Sequence, residues 1–441
     1  MFALRRGLFF LCCCLLFWGC GGLSEALAQT IYLDINNANF QKIPIAVPDF
    51  KYMSSDQTEL SRQMADLLRN DLNISGVFRC LDPKGFLQDP QKMSMDASQI
   101  NFPAWKQLGA DFLVGASYQV QGNSLRLDGR LFDATGARLV GSPKSYGGDV
   151  GAWRQMVHAF ANDILLMVTG QAGVFNTRIA FTQKVGGAKE IFACDFDGSD
   201  PVQLTHDNSI DLSPVWSPDG RRIAYVSYRD GSPKIYVLNV ATRATRLLCG
   251  YPGMDITPAW RPSGGELAVA LSKGASQDLY LVNSSGGIVR KLNVGFGSSI
   301  SVSPNWSPDG SKLAYVSNES GGPQIYILDL SSGQKRRLTY SGKYNTSPAW
   351  SPKGDWIAYC AQGGGSFNIY VIRPDGSDSH ALTHGGRNEA PRWSPDGRMI
   401  VYSGNYAIRI MDANGTGDWR LMRNPGGAQG LPDWSPRLNG N

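Results

Sequence analysis

One phrase, present in five ten-residue copies and one truncated copy, constrains the fold of this chain more than any other feature. Each copy is centred on a tryptophan with a proline two positions before it. The copies read "DLSPVWSPDG" from Asp211, "DITPAWRPSG" from Asp255, "SVSPNWSPDG" from Ser301, "NTSPAWSPKG" from Asn345, "NEAPRWSPDG" from Asn388 and "QGLPDWSP" from Gln429. The tryptophans stand at positions 216, 260, 306, 350, 393 and 434, a spacing of 41 to 46 residues. A period of this length indicates a repeat architecture.

Each repeat predicts four short strands, one formed by the phrase itself and three by the residues that follow it. After the phrase come a turn, a strand such as "RIAYVS", a second strand such as "KIYVLN" and an outer strand ending like "RRLT". Four strands in roughly 44 residues are typical of a β-propeller blade. The "IAYVS"-type strand occurs six times, but the copy at Ile179 lacks a preceding tryptophan and Trp434 lacks a following strand. We therefore expect six blades, the first completed by the C-terminal strand.

The residues before the repeats predict a different kind of domain. "TELSRQMADLLRNDL" (58–72) places its leucines and Met64 on one face of a helix. "DFLVGASYQVQGNSLRLDGRLFDATGARLVGS" alternates apolar and polar residues around turns, which predicts an antiparallel meander. "VGAWRQMVHAFANDILLMVTG" reads as a second amphipathic helix that ends at Gly170. The fold class we expect is an N-terminal α/β domain (29–172) followed by an all-β six-bladed propeller (173–441).

The first 28 residues have the pattern of a secretory signal peptide. Arg5 and Arg6 precede the apolar run "GLFFLCCCLLFWG", and "ALA" ends at Ala28, so cleavage is expected between Ala28 and Gln29. Lipidation at Cys20 is disfavoured because the bulky Phe17 and Trp18 stand where small residues are needed. The flanking pattern also favours Sec export over twin-arginine export. We expect an exported, periplasmic protein.

The motifs of common enzymes are missing from this sequence. It contains no G-x-S-x-G pentapeptide and no P-loop, and "GFGSSI" lacks the third glycine of a dinucleotide site. His380 and His384 have the H-x-x-x-H spacing that pairs two histidines on a helix. They lie instead on an outer strand and its exit, where four residues span roughly 13 Å, which disfavours a shared metal site. The net charge of +5 is too small to indicate nucleic-acid binding. We expect no catalytic, cofactor-binding or metal-binding residues, although cations held in the channel by carbonyl groups and carboxylates stay open.

The residue five positions before each tryptophan is polar in all six copies. If these residues begin the innermost strands, sixfold repetition places them around one mouth of the channel. They are Asp211, Asp255, Ser301, Asn345, Asn388 and Gln429. Glu389 and Arg392 add charge near the same mouth. Polar side chains on a rigid scaffold suit partner recognition, and the alternative is that these residues cap turns.

The order of these elements resembles the TolB family of periplasmic propellers of the Tol–Pal system. The likeness rests on the signal peptide, the "PIAVPDF" start of the N-terminal domain, and six "SPxWSPDGxxIAYxS" blades that run to the C-terminus. It implies a non-enzymatic scaffold without cofactors that supports outer-membrane integrity and cell division. It also implies that the peptidoglycan-associated lipoprotein Pal binds at the propeller mouth and that the inner-membrane protein TolA binds the N-terminal region.

The implied TolA contact falls on an N-terminal arm, residues 29–40. Its first residues are Gln29, Thr30, Ile31, Tyr32, Leu33 and Asp34. The arm matches the family by position more than by motif, and an edge strand is the alternative interpretation. For the whole chain, the alternative function is that of an exported propeller that binds a small ligand or glycan in its channel.

The cleavage site can be tested by intact mass spectrometry of the exported protein. We expect the mass of a chain that starts at Gln29 and carries no lipid, because "ALA" precedes that residue and the segment before Cys20 fits no lipidation signal. An acylated chain starting at Cys20 would contradict this prediction.

Overall fold

The computed structural model describes most of the chain after residue 40. The described ranges are 41–53, 58–272, 276–292, 294–295, 297–423 and 426–438. The predicted signal peptide and the arm residues Gln29–Asp34 lie outside them. No helix in these ranges is long and apolar enough to cross a membrane.

The first part of the structure is a mixed sheet with helices packed on it. Its strands are β1 (Ile43–Ala46), β2 (Lys51–Tyr52), β3 (Phe78–Cys80), β4 (Phe112–Gln121), β5 (Ser124–Asp133) and β6 (Arg138–Asp149). They are ordered β3-β1-β4-β5-β6, with β2 also paired to β4. The β1 pairings with β3 and β4 are parallel, whereas β4, β5 and β6 form the predicted antiparallel meander.

Three α-helices and four short 3-10 turns accompany this sheet. The helices are α1 (Thr58–Ile74), α2 (Phe102–Gln107) and α3 (Trp153–Thr169), and the turns are Pro83–Gly85, Pro90–Lys92, Ala97–Gln99 and Val150–Ala152. Gly170 ends α3 in the left-handed conformation with φ 72°, as the sequence predicted. Helix α1 buries Met64, Leu68 and Leu72 completely, which confirms its predicted apolar face.

Helices α1 and α3 are joined by a buried polar pair. His158 Nδ1 lies 2.7 Å from Asp71 Oδ2, and neither side chain is accessible to solvent beyond 3%. One turn earlier on the same face of α3, Arg154 forms a 2.7 Å ion pair with Asp197, which belongs to the first blade of the propeller. One apolar core, which includes Phe160 and Phe196, spans both parts of the chain. The α/β part is therefore packed against the propeller.

The rest of the described chain forms six four-stranded antiparallel sheets. Blade 1 contains β7 (Arg178–Val185), β8 (Ala188–Asp195), β9 (Val202–Gln203) and the last strand, β30 (Gln429–Trp434). Blade 2 contains β10 (Asp211–Trp216), β11 (Arg222–Ser227), β12 (Lys234–Asn239) and β13 (Thr245–Cys249). Blade 3 contains β14 (Asp255–Trp260), β15 (Glu266–Ser272), β16 (Gln277–Asn283) and β17 (Ile288–Lys291).

The last three blades follow the same plan. Blade 4 contains β18 (Ser301–Trp306), β19 (Lys312–Ser317), β20 (Gln324–Asp329) and β21 (Lys335–Arg337). Blade 5 contains β22 (Asn345–Trp350), β23 (Ile357–Gly363), β24 (Ser366–Ile372) and β25 (His380–Ala381). Blade 6 contains β26 (Asn388–Trp393), β27 (Met399–Gly404), β28 (Ala407–Asp412) and β29 (Trp419–Arg420). The predicted six-bladed fold is confirmed, while the boundary between residues 172 and 173 stays a prediction.

Each tryptophan of the repeated phrase packs between its own blade and the preceding one. Trp306 shares an apolar cluster with Ala259 and Leu281 of blade 3, and its indole Nε1 donates to the Ala259 carbonyl at 3.0 Å. Trp393 donates in the same way to Ala349 of blade 5 at 2.9 Å. The repeated tryptophan thus joins neighbouring sheets.

The "SPDG" part of the phrase builds the turn of the inner hairpin. In blade 2, Ser217 Oγ accepts a hydrogen bond from Arg222 N at 3.0 Å, and Asp219 Oδ1 accepts one from Arg221 N at 3.0 Å. Gly220 closes the turn with φ +69°, a conformation that residues with a side chain adopt at a cost. Ser307, Asp309 and Gly310 repeat this arrangement in blade 4.

The C-terminal strand closes the ring. β30 pairs antiparallel with β7, with Trp434 opposite Ile179 and Gln429 opposite Gln183. Beyond the strand, Arg437 Nε donates to the Gly173 carbonyl at 2.8 Å, and Leu438 N donates to the Asn176 carbonyl at 3.0 Å. Strands about 250 positions apart in the sequence are thereby joined in one sheet.

Deletion of residues 429–441 should leave blade 1 with an open edge. The loss of Trp434 alone from a buried position is expected to cost about 3–5 kcal/mol, and the uncovered β7 edge favours association with other chains. We expect a lower melting temperature and aggregation on size-exclusion chromatography. A control that lacks only residues 439–441 keeps β30 and should behave as the intact chain. A monomeric 429–441 deletion with an unchanged melting temperature would show that closure does not depend on β30.

Candidate functional site at one mouth of the propeller

The six polar residues that begin the innermost strands are buried. Their fractional exposures are 0% for Asp211, Asp255 and Ser301, 1% for Asn345, 6% for Asn388 and 4% for Gln429. The sequence predicted an accessible ring around one mouth, and the structure corrects this. They lie at one end of the innermost strands, but their side chains are enclosed by the protein.

Two of these residues show what the buried side chains do. Asn345 Nδ2 donates to the Ser341 carbonyl and to Gln324 Oε1, both at 2.8 Å. Asn388 Nδ2 donates to the Gly385 carbonyl at 2.7 Å. Each amide thus fastens the loop that arrives from the preceding blade, and Asn345 also bonds to that blade's third strand. This geometry favours the turn-capping alternative.

A β-bulge explains why the first residue of each innermost strand is turned inward. In blade 2 the register skips from Leu212 to Val215, and Ser213 between them has φ +52°. The equivalent residues also have positive φ: Thr257, Ser303, Ser347, Ala390 and Leu431. Simple alternation from the buried Trp216 would turn Asp211 away from the core, but the bulge reverses the parity.

Glu389 and Arg392 occupy different levels of the channel. Glu389 is half-buried near the mouth and accepts a 2.8 Å hydrogen bond from Arg387 Nε. Arg392 lies deeper, where its Nε is 3.2 Å from Asp433 Oδ1. Asp433 Oδ2 also accepts from the Trp216 amide at 2.8 Å. Burial raises the pKa of Asp433 to about 6, against the opposing effect of Arg392.

The accessible side chains at this mouth stand one position earlier in the sequence. We call them the outer ring: Ile210, Met254, Ile300, Tyr344, Arg387 and Ala428. The first four are large apolar residues with exposures of 42%, 46%, 46% and 38%. Sequence reasoning missed them because it selected the polar position, although the apolar character of the position before it was a readable signal.

The backbone holds the outer ring in place. The carbonyl of each member accepts a hydrogen bond from a backbone amide of its own blade. That amide lies near the end of the blade's second strand or just after it. The bonds are Tyr228 N to Ile210 O, Ser272 N to Met254 O, Asn318 N to Ile300 O, Gln362 N to Tyr344 O, Asn405 N to Arg387 O and Lys184 N to Ala428 O, at 2.9 to 3.3 Å. The mouth therefore presents apolar side chains on a fixed frame.

A cavity of about 330 Å³ lies at the other ends of the innermost strands. Tryptophans and prolines of all six blades form most of its wall, and Arg392 and Asp433 are the charged groups in it. A smaller cavity of about 110 Å³, lined by the residues of the bulges, lies between it and the mouth. The channel is thus narrow and mostly apolar.

The histidines do not form a metal site in the described residues. His380 stacks edge-on against Trp356, with ring centroids 5.6 Å apart, and shares no cluster of potential ligands with another histidine. Three carboxylates do approach one another, those of Glu190, Asp207 and Asp211, with ligand atoms within 4.8 Å. The sequence did not single out Glu190 or Asp207.

Two protein-family profiles match the chain. A profile described as the TolB beta propeller domain matches residues 166–438, and one described as the TolB amino-terminal domain matches residues 31–140. Together they cover both parts of the structure.

Curated relatives resemble part of the chain. The Tol-Pal system protein TolB of Desulfosudis oleivorans is 40% identical over 215 residues, 48% of this chain and 49% of that protein. The one of Syntrophus aciditrophicus is 37% identical over 216 residues, 47% of each chain. A TolB homolog of Chlorobium chlorochromatii is 40% identical over 219 residues, 49% of each chain. The chain thus spans about half the length of the curated relatives it matches.

A solved structure resembles nearly the whole fold. The crystal structure of TolB from Acinetobacter baumannii aligns with a TM-score of 0.77 and covers 90% of this chain and 97% of that one. At 24% identity, this likeness shows the fold alone.

The buried amide of Asn345 should contribute to stability. The Asn345→Ala variant loses one buried and one partly buried hydrogen bond and leaves Gln324 Oε1 with one donor fewer. We expect this to cost about 1–3 kcal/mol of unfolding free energy. Urea unfolding measures the loss. The control is Ile300→Ala, because an exposed substitution usually changes stability by less than about 0.5 kcal/mol. Equal stabilities of the two variants would contradict the capping role.

Proposed function

The chain belongs to the TolB family, and we propose that it is a non-enzymatic scaffold of a Tol–Pal system in the periplasm. The names of the relatives support this assignment. As such a scaffold it binds a Pal-like peptidoglycan-associated lipoprotein at the propeller mouth and a TolA-like inner-membrane protein through the N-terminal region. This role maintains outer-membrane integrity and supports cell division.

The outer ring is the observation that carries the proposed Pal contact. Four exposed apolar side chains around one mouth leave an apolar surface that a partner can cover. Because the ring carbonyls are hydrogen-bonded within their blades, the surface needs little rearrangement on binding, and preorganisation lowers the entropic cost of association. Tyrosine is enriched among the residues that dominate binding energy at interfaces. In this proposal Tyr344 is such a residue.

Charged groups supply a polar rim beside this apolar surface. Arg387 contacts Glu389 at 2.8 Å and the Tyr406 hydroxyl at 3.3 Å, and Tyr406 is itself 63% exposed. An apolar centre with a polar rim is the usual anatomy of a protein interface. In this proposal Glu389 contributes directly to partner binding. Asp255, Asn345 and Asn388 act by holding the loops that carry the ring, through the Tyr251 amide and the carbonyls of Ser341 and Gly385. Asp211 and Ser301 act from the buried starts of their strands, and Arg392 acts from within the channel.

The proposed TolA contact uses the segment Gln29–Asp34. Support for it comes from position, because the segment lies shortly before β1 (Ile43–Ala46), the first strand of the N-terminal sheet. Export by a signal peptide that ends at Ala28 would deliver this segment, as the new N-terminus, to the compartment where the partners lie.

A second function is favoured by the channel cavity. Its volume of about 330 Å³ is at the lower limit of small-molecule sites, and the Arg392–Asp433 pair offers polar groups to a ligand. Pull-down from an envelope extract separates the two functions. Recovery of a Pal-like lipoprotein supports the scaffold, whereas a bound glycan or small molecule without that lipoprotein supports the alternative.

The Tyr344→Ala variant should bind a Pal-like lipoprotein more weakly. If Tyr344 is a central contact, its truncation costs about 2 kcal/mol or more, which corresponds to roughly 30-fold weaker binding. Isothermal titration calorimetry with the purified soluble domain of the lipoprotein measures the change. Melting temperature should be nearly unchanged, since the side chain is exposed.

Val289→Ala is the matched control for this experiment. Val289 is a 51% exposed apolar residue on the outermost strand of blade 3, away from the mouth. Its variant should keep full affinity. Equal affinities of the Tyr344→Ala and intact proteins would contradict the proposal that the lipoprotein binds at the outer ring.

A further inference from the structure

The junctions between blades follow one rule with a single conspicuous exception. The residue that begins each innermost strand lies beside the start of the third strand of the preceding blade. At three junctions the two side chains are complementary. Asn345 donates to Gln324 at 2.8 Å, Asn388 donates to Asn368 at 3.4 Å, and Asp255 lies 3.7 Å from the Lys234 ammonium.

At two further junctions the innermost strand begins with a neutral residue, so two carboxylates do not face each other. Gln429 Oε1 accepts from the Ile408 amide at 3.4 Å. At the junction of blades 3 and 4, Asp278 forms a 2.7 Å ion pair with Lys291, and the innermost strand begins with the neutral Ser301.

The junction of blades 1 and 2 brings carboxylates together. Glu190, near the start of β8, occupies the place of Gln324, and Asp211, which begins β10, occupies the place of Asn345. Asp207, in the connecting loop, adds a third acid, and ligand atoms of all three lie within 4.8 Å of one another. Three negative charges thus meet where other junctions hold complementary pairs.

Nearby groups compensate for only part of this charge. The Arg229 guanidinium contacts Asp207. Glu190 Oε2 accepts from Thr205 Oγ1 at 2.6 Å, and Glu190 Oε1 accepts from Asn208 N at 2.9 Å. Asp207 Oδ1 also accepts from Ser209 N at 3.3 Å. Among these contacts Arg229 alone carries a positive charge.

Asp211 lacks such compensation. It is completely buried, and neither of its carboxylate oxygens accepts a hydrogen bond of ordinary geometry from the described residues. The hydroxyls of Ser227 and Thr205 lie close enough to affect the carboxylate, but burial dominates and raises its pKa. A buried carboxylate without a partner is strongly unfavourable, so the geometry calls for a positive group among these three acids.

We propose that Glu190, Asp207 and Asp211 form a binding site for a hard divalent cation, calcium, that joins blade 1 to blade 2. Calcium takes carboxylate oxygens as ligands and accepts irregular geometry. Three carboxylates provide six oxygens, and the half-buried Asp207 leaves a path for the ion from solvent. With Arg229, the bound ion balances the three negative charges.

The site is placed where such a link has a structural use. Blade 1 is the blade completed by the two ends of the propeller chain, through β30 and β7. The loop between β9 and β10 carries Asp207 and ends at Ile210 of the outer ring. An ion bound here would hold blade 2 against blade 1, which closes the ring. It would also fix the loop that carries Ile210 at the mouth.

Calcium titration of the full mature chain tests the proposal. The protein is stripped with EDTA and titrated with calcium chloride at neutral pH, with isothermal titration calorimetry and thermal unfolding as readouts. We expect one saturable site, with a dissociation constant in or below the range of extracellular calcium modules, roughly 10⁻⁴–10⁻³ M, and a melting temperature that rises with calcium concentration.

The Asp211→Asn variant separates this site from any other. It preserves the shape of the side chain and should bind calcium at least tenfold more weakly. In EDTA it should be no less stable than the intact protein, because it removes a buried like charge; in calcium the order should reverse. Glu190→Gln is a second variant with the same expectation, and circular dichroism checks that both fold.

Asp255→Asn is the matched control at the next junction. It disrupts a complementary pair with Lys234 and should lower the melting temperature with and without calcium, while the calcium-induced shift remains. The proposal is overturned if the intact chain shows no saturable binding up to about 10 mM calcium, ten times the upper end of that range. It is also overturned if Asp211→Asn and Glu190→Gln retain full affinity, because the ion then binds elsewhere.

Discussion

The packing of one tryptophan between each pair of neighbouring blades is the interaction on which the propeller depends. A four-stranded sheet of this size has two apolar faces and cannot bury both alone. The indole ring fills the space between two sheets near the axis and, in Trp306 and Trp393, also donates a hydrogen bond to the preceding blade. Because this contact repeats around the ring, each blade is held by both neighbours.

Closure of the ring follows from the same requirement. If β7, β8 and β9 stood without β30, the innermost edge of blade 1 would be open and the Trp434 contact with blade 6 would be lost. The pairing of β30 with β7 prevents both. The α/β part is attached to this blade by the Arg154–Asp197 ion pair and by the core that contains Phe196. Blade 1 therefore carries the ring closure and the contact with the N-terminal part.

The mouth of the channel combines a rigid frame with exposed apolar side chains. The bulge at Ser213 and its equivalents turns one residue of each strand inward and leaves its predecessor accessible. Non-glycine residues with positive φ cost of the order of 1–3 kcal/mol each and persist where the surroundings impose them. Six positions in the ring have this strained backbone conformation. The geometry of the surface is therefore preorganised for a partner.

Much of the architecture could be predicted because short stretches of the sequence determine it. The spacing of the tryptophans determined the number of blades, the unpaired first and last repeats determined how the ring closes, and the turn residues Ser217, Asp219 and Gly220 determined the inner hairpin. Helix α1 and the meander were also predictable, since hydrophobic periodicity reports which face of a single element is buried.

The functional surface could not be predicted in the same way. Alternation along a strand identifies two faces, but the bulge at Ser213 changes the parity, so Asp211, which was expected at the accessible mouth, is buried, and Ile210 beside it is exposed. The meeting of Glu190 with Asp211, and of Asp71 with His158, likewise depends on how separate elements stack. The sequence by itself determined which strands form and how many blades they make. The tertiary structure decided which side chains face solvent and which charges meet, because burial and charge proximity arise from contacts between elements that local patterns do not encode.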